Sequence, residues 1–397
     1  MVLKLNYKMS SSIIITLCLL LLLAYIFDVT SSRTKIPSVI LLLVLGVCVR
    51  LAADFFKVVI PDLTPILPVI GTIGLILIVL EGSLELEIKK ENLGLIRKSA
   101  IVAFVPILVL SFLIAEGIFY YDTDISFKDS LTNAIPLAII SSAVAISTAK
   151  ALDKSKYEFV VYESSLSDVF GVVFFNFVTL REYINAESFG YFFLDILLIL
   201  IVSALASLAL AYLINKIKHK VKFAPIILLV IIIYVVSKMY HLPALLFILL
   251  FGLFIGNLDE LIHFDFIQKV QPKVLQKEIQ KFKEITTEFT FLIRTLFFIL
   301  FGYLIKLDEL FNINTLPWAF AIVSAILVVR ILVLKLVRVP MQSLVFIAPR
   351  GLITILLFLS IPVTKHSPLM NNSLVIQVII LSALLMMVGL MFTKKTN

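Results

Sequence analysis

Apolar residues arrive along this chain in blocks of about 17 to 25, parted by short polar breaks, and about 20 apolar residues of helix cross a bilayer core of roughly 30 Å. Thirteen such blocks start near Ser11, Ile36, Leu63, Ser99, Leu131, Tyr157, Phe189, Phe223, Leu242, Thr287, Leu316, Gln342 and Ser373. The pattern predicts an all-α polytopic membrane protein of about 13 transmembrane helices, with residues 1–397 forming a single membrane domain. The split of residues 223–256 into two spans rests on Lys238 and Pro243, since 34 residues of helix are too long for one crossing. The longest polar stretch, Asp259 to Glu284, carries Lys269, Lys273, Lys277, Lys281 and Lys283 and reads as an amphipathic cytoplasmic connector, a solvated linker in preference to a regulatory helix.

Composition agrees. With 61% hydrophobic residues, 15% charged residues and a mean hydropathy of +1.11, the chain lacks the charged surface of a soluble protein of 397 residues. Cys18 and Cys48 lie inside apolar runs without ligand spacing, and the four histidines fall in loops or at helix ends. No disulfide, resident metal or cofactor is expected. The net charge of +8 fits lysine-rich loops beside an inner leaflet and calls for no nucleic acid.

Sorting the 34 Lys and Arg into alternate loops puts 22 on one side and nine on the other. By the positive-inside rule this predicts the N-terminus outside and the C-terminus inside, in the inner (plasma) membrane of the cell. Lys4 and Lys8 would also suit a signal peptide, but no small-residue cleavage site follows Tyr25, so the segment is read as a first span.

Three arginines remain inside spans: Arg294, Arg330 and Arg350. Two acids, Glu163 and Asp168, interrupt the span from about 157 to 180. Each charge at bilayer depth costs on the order of 2.5 to 3.5 kcal/mol unless paired or wet, so each asks for a reason. Asp168 is the twelfth residue of its span and sits near the midplane, with Ser167 beside it as an oxygen ligand instead of a counter-charge. Glu163, about 7.5 Å nearer the inner face, reads as an ion pair with Arg330 or Arg350, whose depths both match. Arg294 reads as a structural partner of Glu288 or as a snorkelling head. Glu81 and Glu116 lie at span ends, where water reaches them.

Two spans break helical rules. Residues 131–152 contain Pro136 and the hydroxyls of Thr132, Ser141, Ser142, Ser147 and Thr148, which can cover freed backbone groups. Residues 342–363 contain Pro349 and Gly351 at the level of Arg350. These are the fifth and twelfth spans, seven apart, so spans 4 to 6 and 11 to 13 read as two copies of a three-helix unit running in opposite directions. Broken helices at matching points of an inverted repeat flank a substrate site, which makes the chain a transporter.

At this point the residues resemble a known family, the monovalent cation:proton antiporters of the sodium/proton exchanger superfamily. LILIVLEGSLELEIKKENL is similar to the family's third-span exit, ESSLSD to its ESLxND signature, IRTLFFILFG to its tenth span, VVRILVL to its eleventh-span arginine, and APRGLIT to its arginine-glycine motif. The resemblance implies that Asp168 binds cation or proton, that Glu163 pairs with Arg330, and that Arg350 is the arginine-glycine arginine. It also implies a homodimer with a mobile core, here 97–180 and 316–393, beside a dimerisation scaffold, here 11–82 and 189–306. Two positions depart from the family: Ser167 replaces an asparagine that holds the core, and SSAVAIS replaces the Thr-Asp-Pro of the fifth span.

The expected function is secondary active antiport of protons against a monovalent cation, Na⁺ before K⁺ or Li⁺, by alternating access. Asp168, Ser167, Ser141 and Ser142 are the candidate ion ligands, and Glu163, Arg330, Arg350 and Arg294 the candidate supports. No HExxH, GxSxG or repeated-aspartate cluster points to an enzyme. The alternatives are an organic-anion transporter, which requires a free positive charge such as an unpaired Arg350, and a non-transporting sensor on the same scaffold.

Overall fold

A computed structural model of the chain describes residues 2–34, 36–58, 62–86, 92–122, 124–149, 152–180, 190–191, 194, 196–206, 209, 223–240, 244–257 and 272–392. Every regular element among them is helical. The helices are α1 (Val2–Thr34), α2 (Ser38–Phe55), α3 (Ile66–Glu85), α4 (Leu93–Tyr121), α5 (Phe127–Ala138), α6 (Ser142–Ala149) and α7 (Lys154–Leu180). They continue with α8 (Ile196–Ala206), α9 (Phe223–Met239), α10 (Ala244–Gly256), α11 (Pro272–Leu304), α12 (Leu316–Val337), α13 (Leu352–Ser360) and α14 (Asn372–Phe392).

Among the described residues seven helical stretches are long and apolar enough to cross a membrane, and α1, α8, α9 and α10 add shorter apolar segments. The chain is a multi-pass membrane protein. α7 has the length, 27 residues, but its apolar run is interrupted by Glu163 and Asp168. Large apolar side chains such as Leu22, Val69, Leu113, Leu332 and Leu336 stand exposed on the bundle's outside. A lipid-facing surface requires this, because hydrocarbon outside is as apolar as the core inside.

Packing sorts the helices into two groups. In one, α4 lies against α5, α7 and α12, α7 against α5 and α6, α12 against α14, and α13 against α5. In the other, α11 lies against α2 and α3, and α10 against α3 and α9. The groups meet where α3 touches α7 and α13, and where α10 touches α7.

The predicted fifth span is two helices, α5 and α6, with residues 139–141 extended between them. The predicted twelfth is an extended stretch, 347–351, leading into α13, preceded by one 3-10 turn, Ser343–Phe346. Both breaks therefore stand where the sequence puts them.

The connector departs from its reading. Residues 259–271 lie outside the described residues, but 272–284 form the first turns of α11, a continuous helix of 33 residues. At 1.5 Å per residue this helix is about 50 Å long, well beyond the roughly 30 Å hydrocarbon core. Its projecting end is no solvated linker: Ile279 and Phe282 are buried, and the Phe282 ring lies 6.0 Å from that of Phe223 at the start of α9.

Candidate functional site

The two breaks cross each other, and the backbone groups they free are answered at the crossing. The Ser141 N–H donates to the Pro349 carbonyl at 2.9 Å, joining one extended stretch to the other. Gly351 makes the approach possible: a Cβ there would lie 2.6 Å from the Ser141 hydroxyl and 3.0 Å from Val144. Gly351→Ala is therefore expected to force the crossing open, at the 1 to 3 kcal/mol typical of an overfilled interior, and to lower the melting temperature of the purified protein in detergent.

A helix end leaves carbonyls without intrahelical partners, and α5 ends in the interior. Arg350 answers it. Its Nε donates to the Leu137 carbonyl at 2.6 Å, and its two terminal nitrogens to Ala138 at 3.2 Å and Ala348 at 2.9 Å. The guanidinium thus sits at the negative end of the α5 dipole, 1% exposed, and its own backbone N–H donates to Ser382 of α14.

Asp168 occupies the complementary position at the other side of the break. Its carboxylate faces the N-terminus of α6, where one oxygen accepts the Ser142 N–H at 3.3 Å and the Ser142 hydroxyl. The other carboxylate oxygen is buried and has no hydrogen-bond partner among the described residues. The side chain is 4% exposed, and no basic group is paired with it among the described residues. Such a carboxylate has a strong demand for a proton or a small cation.

Ser167 accepts the Ile140 N–H at 3.0 Å and so holds the extended stretch to α7. The four candidate ligands therefore divide. Ser142 lies on Asp168, Ser167 supports the break, and Ser141 packs against Gly351. The other hydroxyls predicted to cover freed groups bond backward within their own helices: Thr132 to Lys128, Ser147 to Ala143, and Thr148 to Val144. Removal of the Ser142 hydroxyl takes a hydrogen bond from the ionised carboxylate, worth about 1.5 to 3 kcal/mol when a charged group is involved. Ser142→Ala is therefore expected to loosen the link between α6 and α7 and to lower the melting temperature of the purified protein in detergent.

Glu163 and Arg330 form a buried bidentate pair, 1% and 2% exposed, with one of its contacts at 2.9 Å. The Arg330 Nε also donates to Leu344 at 2.7 Å. One guanidinium thus ties α7, α12 and the 3-10 turn together. Of the two arginines open to Glu163 at the level of sequence, Arg330 takes it, because Arg350 is held by carbonyls. Arg294 lies 3.7 Å from Asp28 of α1, not against Glu288. Asp28 also accepts the Ser38 hydroxyl at 3.1 Å. Neither Asp28 nor Ser382 stood out in the sequence, although each is a lone polar residue ending or interrupting an apolar run.

A cavity of about 330 Å³ reaches Ser142 from one end of the bundle, bordered by Asp28, Glu81, Glu85, Glu288 and Arg294. A neighbouring cavity of about 560 Å³ shares Glu81, Glu85 and Glu288 with it and adds Glu158 and Glu284. Carboxylates thus line the approach to Asp168 from this end, and a lining of that sign concentrates cations.

The sodium/hydrogen exchanger transmembrane family model matches residues 18–394. Among solved structures, that of the sodium proton antiporter MjNhaP1 from Methanocaldococcus jannaschii at pH 8 is similar with a TM-score of 0.70. The two are 18% identical, over 94% of this chain and 98% of that one. An electron-microscopy structure of the same antiporter gives a TM-score of 0.68 and 18% identity, over 98% and 99% of the two chains. At that identity the likeness establishes the fold. No curated protein sequence matches the chain. With the family model spanning nearly its whole length, a family of transporters and not of enzymes, the chain belongs to the sodium/hydrogen exchangers.

Proposed function

We propose that this protein is a secondary active antiporter that exchanges protons for a monovalent cation, sodium first and potassium or lithium next, by alternating access at Asp168. The observation that carries the reading is the carboxylate itself, buried at the crossing of two broken helices with one oxygen held by Ser142 and the other without a hydrogen-bond partner among the described residues. Family membership supports the same chemistry.

Proton and cation compete for one site, because either neutralises a charge that is costly to hold in a low-dielectric interior. Residues 97–180 and 316–393 form the moving core, and 11–82 and 189–306 the scaffold through which two copies pair. The core crosses only when Asp168 carries a proton or a cation, so the two fluxes are coupled. With the N-terminus outside and the C-terminus inside the plasma membrane, the acidic cavities face the cytoplasm and the site is open inward. A hard cation at Asp168 takes oxygen ligands, the carboxylate and the Ser142 hydroxyl first. An organic-anion carrier would need Arg350 to face its substrate, but that guanidinium is engaged by three carbonyls.

The test is reconstitution into liposomes loaded with a pH-sensitive dye, with sodium, potassium and lithium gradients imposed in turn. Proton movement that follows one cation's gradient establishes antiport and names the ion. Folded protein that moves no protons with any of the three between pH 6 and pH 9 overturns the reading.

A further inference from the structure

A second cavity of about 560 Å³ opens at the opposite end of the bundle, and its lining has the opposite sign. It lies between the two helix groups. Lys128 and Thr132 of α5, Asn176 of α7 and Lys365 after α13 border it on one side, with Thr72 of α3 and Lys238 of α9 on the other. Among the described residues no aspartate or glutamate borders it. Three ammonium groups from three separate elements give this mouth a positive lining, where carboxylates predominate at the other end.

The same lining suits an anion. The ammonium groups bring positive charge, the threonine hydroxyls and the asparagine amide bring donors, and lysine is an established point-charge binder of phosphate. At about 30 Å³ per water the cavity holds a phosphate group together with several waters.

We propose that this cavity is an anion site for a phosphate group, supplied by the free ion or by an anionic lipid headgroup. Resting on the antiport reading above, we further infer that its occupation arrests exchange. A phosphate bound between Lys128 and Lys365 of the core and Lys238 of the scaffold joins two bodies that must slide past each other.

The binding half is tested without transport. Inorganic phosphate is titrated by calorimetry into delipidated full-length protein in detergent at constant ionic strength, for the wild type, the single variants Lys238→Gln and Lys365→Gln, and the triple variant with Lys128→Gln. Saturable binding that weakens severalfold in each single variant and at least tenfold in the triple one is expected. The single variants carry the test should the triple one not fold.

The titration is repeated in phosphatidylglycerol and in phosphatidylcholine nanodiscs. Loss of phosphate binding in phosphatidylglycerol alone identifies the headgroup as the source, and equal binding in both identifies the free ion. Absence of saturable binding in all three settings, or binding indifferent to the lysines, overturns the site. For the second half, phosphate is added to the Lys238 side of proteoliposomes, where it should slow cation-driven proton movement in the wild type and leave the triple variant unaffected. Phosphate that binds without slowing exchange overturns the arrest while leaving the site and the antiport reading standing.

Discussion

Asp168→Asn is expected to reduce cation-driven proton movement to the leak of protein-free vesicles. Asparagine keeps the shape and can still accept the Ser142 N–H and hydroxyl, so the link between α7 and α6 survives. What it cannot do is release a proton or balance a cation, and among the described residues no second carboxylate is bonded at the crossing to take over. The new amide N–H₂ replaces an oxygen that has no hydrogen-bond partner among the described residues, and an unsatisfied buried donor costs about 1 to 3 kcal/mol. Against that, the variant no longer buries an ionisable group. The melting temperature in detergent should therefore stay close to that of the wild type. Exchange retained in a well-folded Asp168→Asn protein would remove this residue from the mechanism.

The second large effect concerns the fold. Glu163→Ala leaves the Arg330 guanidinium, and Arg330→Ala the Glu163 carboxylate, charged and buried without its counter-ion, and breaking a buried pair from one side costs about 3 to 5 kcal/mol. Arg330→Ala also frees the Leu344 carbonyl, so it should be the worse of the two. Both variants should yield little monodisperse protein and melt well below the wild type. The double variant Glu163→Leu, Arg330→Met removes both charges at similar volume and should be more stable than either single alanine change. Additive losses in the double variant would mean that packing, not charge, sets the cost.

Hydropathy made the membrane class and both broken spans legible, because proline, glycine and hydroxyl clusters inside apolar runs have few other readings. Charge counting made Glu163, Asp168 and the three arginines legible for the same reason. Hydropathy gives a residue's depth but not the direction it points around the helix, so Glu163 could be matched to two arginines equally well. The resemblance names Arg330, and the structure gives the reason: Arg350 is held by the backbone carbonyls of Leu137, Ala138 and Ala348, of which residue type says nothing. Asp28 was hidden in another way. It belongs to a span remote in sequence from Arg294, and Glu288, two turns away on α11, looked nearer.

The bond from Ile140 to Ser167 bears on how the antiporter signature itself should be understood. The resemblance sets an asparagine where this chain has Ser167, and what the position supplies here is one oxygen within 3.0 Å of a peptide N–H that the broken helix has set loose. An amide carbonyl and a hydroxyl can both supply that oxygen. In this chain the serine at that place is therefore a clasp: it closes the loosened backbone of the broken helix onto α7.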